Sequence, residues 1–96
     1  MKAYCLFDNL RVHDPAKLEM YKARVAPTVE QFGGRYVVLG GQSAVVEGDW
    51  TPTYLVMLEF PDYEAATRWY HSEEYRELKS LRQSAATSNG VIIEGL

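Results

Sequence analysis

A chain of 96 residues is long enough for one domain around one modest core, and too short for two. Its 47% hydrophobic and 24% charged residues argue against disorder, and the single cysteine, Cys5, excludes an internal disulfide and fits a reducing compartment. Ten Lys and Arg against thirteen Asp and Glu leave a net charge of −3, and the basic residues are scattered, which disfavours a surface that tracks nucleic-acid phosphates.

Met1-Lys2-Ala3-Tyr4 leads directly into strand-like sequence. No signal-peptide core, lipidation motif or membrane-length apolar run is present, so a cytoplasmic protein without a membrane partner is expected. The first strand is read over Ala3 to Val12, apolar from Ala3 to Phe7 and polar from Asp8. Asp14-Pro15 starts a helix, the aspartate as cap and the proline in the first turn. Leu18, Tyr21, Val25, Val29 and Phe32 form its apolar stripe. Pro27 removes a backbone donor, which predicts a kink or a restarted turn near residues 23–27, and Gly33-Gly34 ends the helix.

Arg35 to Leu39 reads as the second strand, continued by Ala44 to Glu47 after Gly40-Gly41. Gly48 to Pro52 is a turn, and Thr53 to Phe60 the third strand. Pro61-Asp62 starts a second helix with Ala65, Ala66, Trp69 and Tyr70 inward. Ser72 caps a third helix, with Glu73 and Glu74 in its first turn, that runs to about Ala86. Thr87 to Gly90 is read as a loop and Val91 to Glu94 as the fourth strand. The order is βαββαβ: an α+β, ferredoxin-like domain over residues 1–96, with a four-stranded antiparallel sheet and helices on one face. Tyr36 to Leu39 and Tyr54 to Leu58 are apolar on both faces, as in a sheet covered on both sides. A second copy packed sheet to sheet would supply the missing cover, so a homodimer is expected.

Arg82 is the hardest residue to explain as filler. Leu78, Leu81 and Ala85 mark the buried face of the third helix, and at about 100° per residue Arg82 falls between Leu78 and Tyr75. A buried guanidinium calls for an anion. Glu47 or Glu59 would supply it as a structural pair; otherwise Arg82 faces a ligand carboxylate, enolate or carbonyl. Tyr70 and Tyr75 carry hydroxyls able to donate to such a ligand, and Trp50, in a turn, suits a pocket or a dimer contact. Trp69 belongs to the core over Ala65 and Ala66, and Arg35, after two glycines, is either a ligand contact or a solvated strand end. His13 and His71 have no companions at metal-ligand spacing, and Cys5 has no activating neighbour. Neither a metal nor a cofactor is expected.

Tyr21 with Pro27, Phe32-Gly33-Gly34-Arg35-Tyr36, Glu47-Gly48-Asp49-Trp50 and Leu58-Glu59-Phe60-Pro61 resemble the domain-of-unknown-function 1330 family. So do Ala65-Ala66, Trp69-Tyr70 with Ser72 and Tyr75, Arg82, and Glu94-Gly95. Asp62 and Glu73 depart from the family's usual serine and proline, without disturbing a cap or a first turn. The resemblance spans the chain and implies a subunit of the dimeric α/β-barrel superfamily. Members of that superfamily include cofactor-independent monooxygenases of aromatic polyketides, muconolactone isomerases and haem-dependent enzymes. Haem is disfavoured here, because neither histidine falls on an apolar face. Two functions remain open: a cofactor-independent enzyme of isomerase or monooxygenase type acting on a carbonyl or aromatic compound, or a non-catalytic small-molecule-binding or regulatory module. In the first, Glu47, Glu59, Arg82 and Tyr75 are the catalytic candidates. Ligand contacts are sought at Arg35, Glu47, Trp50, Glu59, Tyr70, Tyr75 and Arg82.

Overall fold

The computed structural model describes all residues from Met1 to Leu96. Its elements are β1 (Ala3–Val12), α1 (Pro15–Gln31), β2 (Arg35–Leu39), β3 (Leu55–Phe60), α2 (Tyr63–Tyr70), α3 (Glu73–Ala85) and β4 (Ala86–Glu94). Each helix starts on a side-chain cap: Asp14 accepts from Lys17 N, Asp62 from Ala65 N and Ser72 from Tyr75 N. Such caps contribute about 1 kcal/mol each. Gly33, at φ +81, turns the chain out of α1, while the Gly34 amide donates to Val29 O at 3.0 Å. A side chain at Gly33 would be strained by that backbone.

The strands lie in the order β2-β3-β1-β4, and every neighbouring pair is antiparallel. β1 reaches β2 through α1, and β3 reaches β4 through α2 and α3, each time with one strand inserted between. This is the ferredoxin-like arrangement. The register pairs Ala3 with Phe60, Cys5 with Leu58 and Phe7 with Val56, which aims all six at the helices. There they join Val25, Val29, Ala65, Ala66, Trp69, Tyr75 and Leu78 in one core. Trp69 is its centre, fully buried and stacked on Tyr75 at 4.2 Å. Its indole N–H donates to Thr28 Oγ at 3.1 Å, so the burial leaves no polar atom of the ring unpaired.

The opposite sheet face carries Tyr4, Leu6, Val38, Leu55, Met57, Val91 and Ile93, as the pairings Tyr4–Ile93, Leu6–Val91, Leu6–Met57 and Val38–Met57 require. No helix covers it, and Val91 and Ile93 are each 48% exposed.

Three elements differ from the sequence reading. α1 runs unbroken through Pro27 with no restarted turn, since the packing of Val25 and Val29 on the core holds the helix across the missing donor. β4 begins at Ala86, five residues before Val91, because β1 continues to Val12 and offers a ladder to residues 86–90. Ser, Asn and Gly are turn formers by themselves, but a paired backbone overrides that preference. The expected extension of β2 over Ala44 to Glu47 is not a strand. The backbone ahead of β3, which would have paired with it, is diverted: the amides of Thr53 and Tyr54 both donate to Asp8.

Candidate functional site

Between the sheet and the helices lie two cavities that share one wall. The inner one, of about 240 Å³, is bounded by α1, β2 and β3, with Leu18, Val25, Tyr36 and Leu58 among its apolar sides. The outer cleft, of about 680 Å³, opens between α2, α3 and β4 and is lined by Tyr63, Tyr70, His71, Gln83, Thr87 and Ser88. Phe7 and Arg82 border both.

Arg82 is buried, at 6% exposure. α3 presents it inward for the reason helical spacing gives: it lies one turn from Leu78 and two from Tyr75, both core residues. Its Nε donates to the Tyr75 hydroxyl at 3.3 Å, its Nη1 to Ser88 Oγ at 2.7 Å, and its guanidinium lies 5.1 Å from the centre of the Phe7 ring. A guanidinium has five N–H groups, so these bonds leave three free for another acceptor. None of the protein's ion pairs includes it. Burial works against its charge, but the phenol oxygens of Tyr75, Tyr21 and Tyr70 outweigh that and raise its pKa above the usual arginine value.

The Tyr75 and Tyr21 hydroxyls are 2.8 Å apart. With the Tyr75 oxygen accepting from Arg82, its proton can go to the Tyr21 oxygen, which leaves the Tyr21 O–H as a donor beside the inner cavity. Burial, reinforced by Tyr75, pushes the Tyr21 phenol far above its ordinary range, and burial pushes Tyr36 up to about 12. Both stay protonated at neutral pH. Asn9, on β1, also borders the inner cavity, and its Oδ1 is the one buried side-chain polar atom in the protein without a hydrogen-bond partner. An orphan of that kind costs about 1–3 kcal/mol.

Of the residues singled out in the sequence, Tyr75, Arg82 and Tyr70 do come together. Tyr70 lines the outer cleft with its ring stacked on Phe7 at 6.5 Å and 6.0 Å from Tyr75. The other four lie elsewhere, and the expected pair between Arg82 and a glutamate does not form. Glu59 alternates with Leu58 and Phe60, so it stands on the uncovered face, where it binds Lys2 at 3.1 Å and Arg35 at 3.2 Å. The Lys2 bond, with help from Arg35, holds the Glu59 carboxyl below its usual range. Arg35 is thus a partner of Glu59 rather than of a cavity. Glu47 is exposed on the segment between β2 and β3 and has no ion pair.

Trp50 is half exposed, and its indole N–H donates to Asp8 Oδ2 at 3.1 Å. Asp8 is buried on the uncovered face, where its other oxygen accepts from Thr53 N, Thr53 Oγ and Tyr54 N. Burial raises its pKa, and these hydrogen bonds more than reverse the shift, so the carboxyl lies below its ordinary value. In the sequence Asp8 stands out only as the start of the polar end of a strand.

Tyr21, Phe7, Asn9 and Ser88 are site residues that the reading of the elements left out. Tyr21 had one signal, a hydroxyl in a buried stripe that needs a partner. Ser88 had none, because its segment looks like a loop. His71 lines the outer cleft, whereas His13 is engaged by the Thr87 hydroxyl at 2.6 Å. No three His, Cys, Asp or Glu side chains stand together so as to hold a metal ion. No helix is long and apolar enough to cross a membrane.

A family model described as "Domain of unknown function (DUF1330)" matches residues 2–96. The chain belongs to the DUF1330 family. This DUF1330 domain is similar to a protein of unknown function from Rhodopseudomonas palustris, with TM-score 0.73, 21% identity, and coverage of 99% of this chain and 82% of that one. It is also similar to SnoaB, a cofactor-independent oxygenase from Streptomyces nogalater (TM-score 0.62, 20% identity, 99% and 91% covered). A third likeness is to a dimeric protein of unknown function and ferredoxin-like fold from Bacteroides fragilis (TM-score 0.57, 11% identity, 98% and 96% covered). At such identities the likeness is one of fold. No curated protein matches the DUF1330 chain.

Proposed function

We propose that the protein is a cytoplasmic homodimer whose subunits each bind a small apolar or aromatic compound through a carbonyl or oxyanion oxygen at Arg82, and act on it without a cofactor. The observation that carries this reading is a buried arginine with no counter-anion, set in the wall between two cavities. A charge so placed is costly unless something else makes use of it. Three free N–H groups of Arg82 and the Tyr21 hydroxyl would stabilise negative charge developing on a carbonyl oxygen. A base would take the proton from the neighbouring carbon, the electron pair would move to the oxygen, and the enolate would take a proton at another carbon or react with dioxygen. No carboxylate lines either cavity, which argues against Glu47 and Glu59 as the base. In the outer cleft the imidazole of His71 would serve as the proton acceptor and donor. Tyr75 and Ser88 orient Arg82.

The dimer reading is supported by the uncovered apolar sheet face and by the fold shared with a protein described as dimeric. The oxygenase type is supported by the fold shared with SnoaB. A second reading, a non-catalytic binding or regulatory module, is favoured by the lack of any carboxylate base beside Arg82. Native mass spectrometry of freshly purified protein tests both. A retained small molecule, absent from Arg82→Met, is expected. Its release unchanged after incubation in air and buffer would favour the second reading, and full occupancy in Arg82→Met would sink both.

A further inference from the structure

Three features of the inner cavity say more than that an anion binds there. Its volume, about 240 Å³, is below the roughly 300–1,000 Å³ of pockets that enclose drug-sized ligands. It suits a small ring compound rather than a drug-sized ligand. Its body is apolar, with Leu18 and Val25 from α1 facing Val56 and Leu58 from β3, and the Tyr36 ring beside them. Its charged groups are Arg82 and, at the rim, Lys22, whose ammonium lies 5.6 Å from the centre of the Tyr54 ring. Lys22 is paired with Glu19 at 3.4 Å, but no acidic side chain lines the cavity and Arg82 has no counter-ion, so the field at Arg82 attracts an anion.

The polar groups divide into two kinds. Arg82 and the Tyr21 hydroxyl offer hydrogens, which suits an oxyanion. Asn9 offers an amide whose oxygen has no partner, which suits a hydroxyl or N–H donor. We propose that the inner cavity binds a monocyclic acid, a carboxylate or enolate on a single ring, and that Asn9 selects ligands bearing a second, hydrogen-donating substituent. The inference rests on the reading of Arg82 as an anion site. It adds the size class of the ligand and a specificity-determining residue.

Heteronuclear NMR titration of the intact protein with benzoate, the three monohydroxybenzoates and 1-naphthoate tests it. At least one hydroxybenzoate should bind about tenfold or more tightly than benzoate, and naphthoate more weakly than either. Asn9→Leu should abolish the preference for the hydroxyl, so that hydroxybenzoates and benzoate bind the variant with similar affinity. Should Asn9→Leu fail to fold, Asn9→Ala is read the same way. Hydroxybenzoates and benzoate binding alike to the parent protein, while Arg82→Met abolishes both, would overturn the role of Asn9 and keep the anion site. Naphthoate binding as tightly as benzoate would overturn the one-ring limit. If no acid shifts the resonances of the inner cavity, the inference fails together with the Arg82 reading.

Discussion

Arg82 Nη1 donates to Ser88 Oγ at 2.7 Å, across the point where α3 passes into β4 with no connecting loop. The reversal of the chain there brings a residue six positions on back under the guanidinium. With the Tyr75 hydroxyl on Nε, two fixed acceptors set the plane of the group, so its free N–H groups keep one direction. The arginine is therefore oriented by neutral oxygens and retains its full charge.

That arrangement sets the outcome of Arg82→Met. The exchange removes a buried charge without a counter-ion and keeps an unbranched chain of similar length. Urea denaturation should show a stability within about 1 kcal/mol of the parent, or higher. A loss of several kcal/mol would instead mark Arg82 as a structural tie.

Asp8 ties the segment before β3 to the sheet. Asp8→Asn presents an amide hydrogen to one of its four donors, and at pH 7 the cost should be about 1–3 kcal/mol, with faster solvent exchange of the Trp50 indole proton by NMR. The pH dependence follows from the sign of the shift. The folded-state pKa is depressed, so the stabilisation is present above the unfolded value near about 3.9 and is lost as pH falls through the folded one. The stability gap between parent and Asp8→Asn should accordingly be constant from pH 7 down to about 5 and shrink in stronger acid. A gap that widened in acid would contradict the assignment.

Gly90 lies against the wall shared by the two cavities. A Cβ there would stand 2.6 Å from the Phe7 ring, so Gly90→Ala must displace the ring that lies beneath Arg82. Overpacking of this kind costs about 1–3 kcal/mol. Thermal unfolding should show a lower Tm, and whichever acid binds the parent protein should bind the variant less tightly.

The uncovered sheet face tests the homodimer. Met57 is paired with Leu6 on one side and Val38 on the other, at the middle of that face. Sedimentation equilibrium should find the parent dimeric at micromolar concentration and Met57→Lys monomeric with unchanged far-ultraviolet circular dichroism. A monomeric parent would end the dimer proposal.

The buried thiol gives a separate check on the core. Burial pushes Cys5 up to about 12, so almost none of it is thiolate at pH 8. A thiol reagent should modify it only in step with unfolding in urea. Rapid modification of the native protein would show that β1 opens locally.

Much of this molecule is written in local patterns. Asp14, Asp62 and Ser72 cap the helices they were read to cap, and the stripe of Leu18, Val25 and Val29 faces the core. The βαββαβ order, the two-faced strands and the inward aim of Arg82 and Trp69 all follow from short-range periodicity and capping chemistry, which act through neighbours a few residues apart. What surrounds Arg82 is of another kind. Glu59 and Phe60 differ by one residue and stand on opposite faces, so the sheet itself separates the nearest-looking carboxylate from the arginine. Tyr21 and Ser88 reach it from 61 residues before and six after, through a helix packing and a strand pairing that no local pattern encodes. Asp8 gathers its four donors from a segment over forty residues away and so ends a strand that propensity would have extended. Local patterns fix most of the elements and which residues turn inward. Which of those meet depends on the packed fold, because partners of a buried polar group are chosen by distance in space.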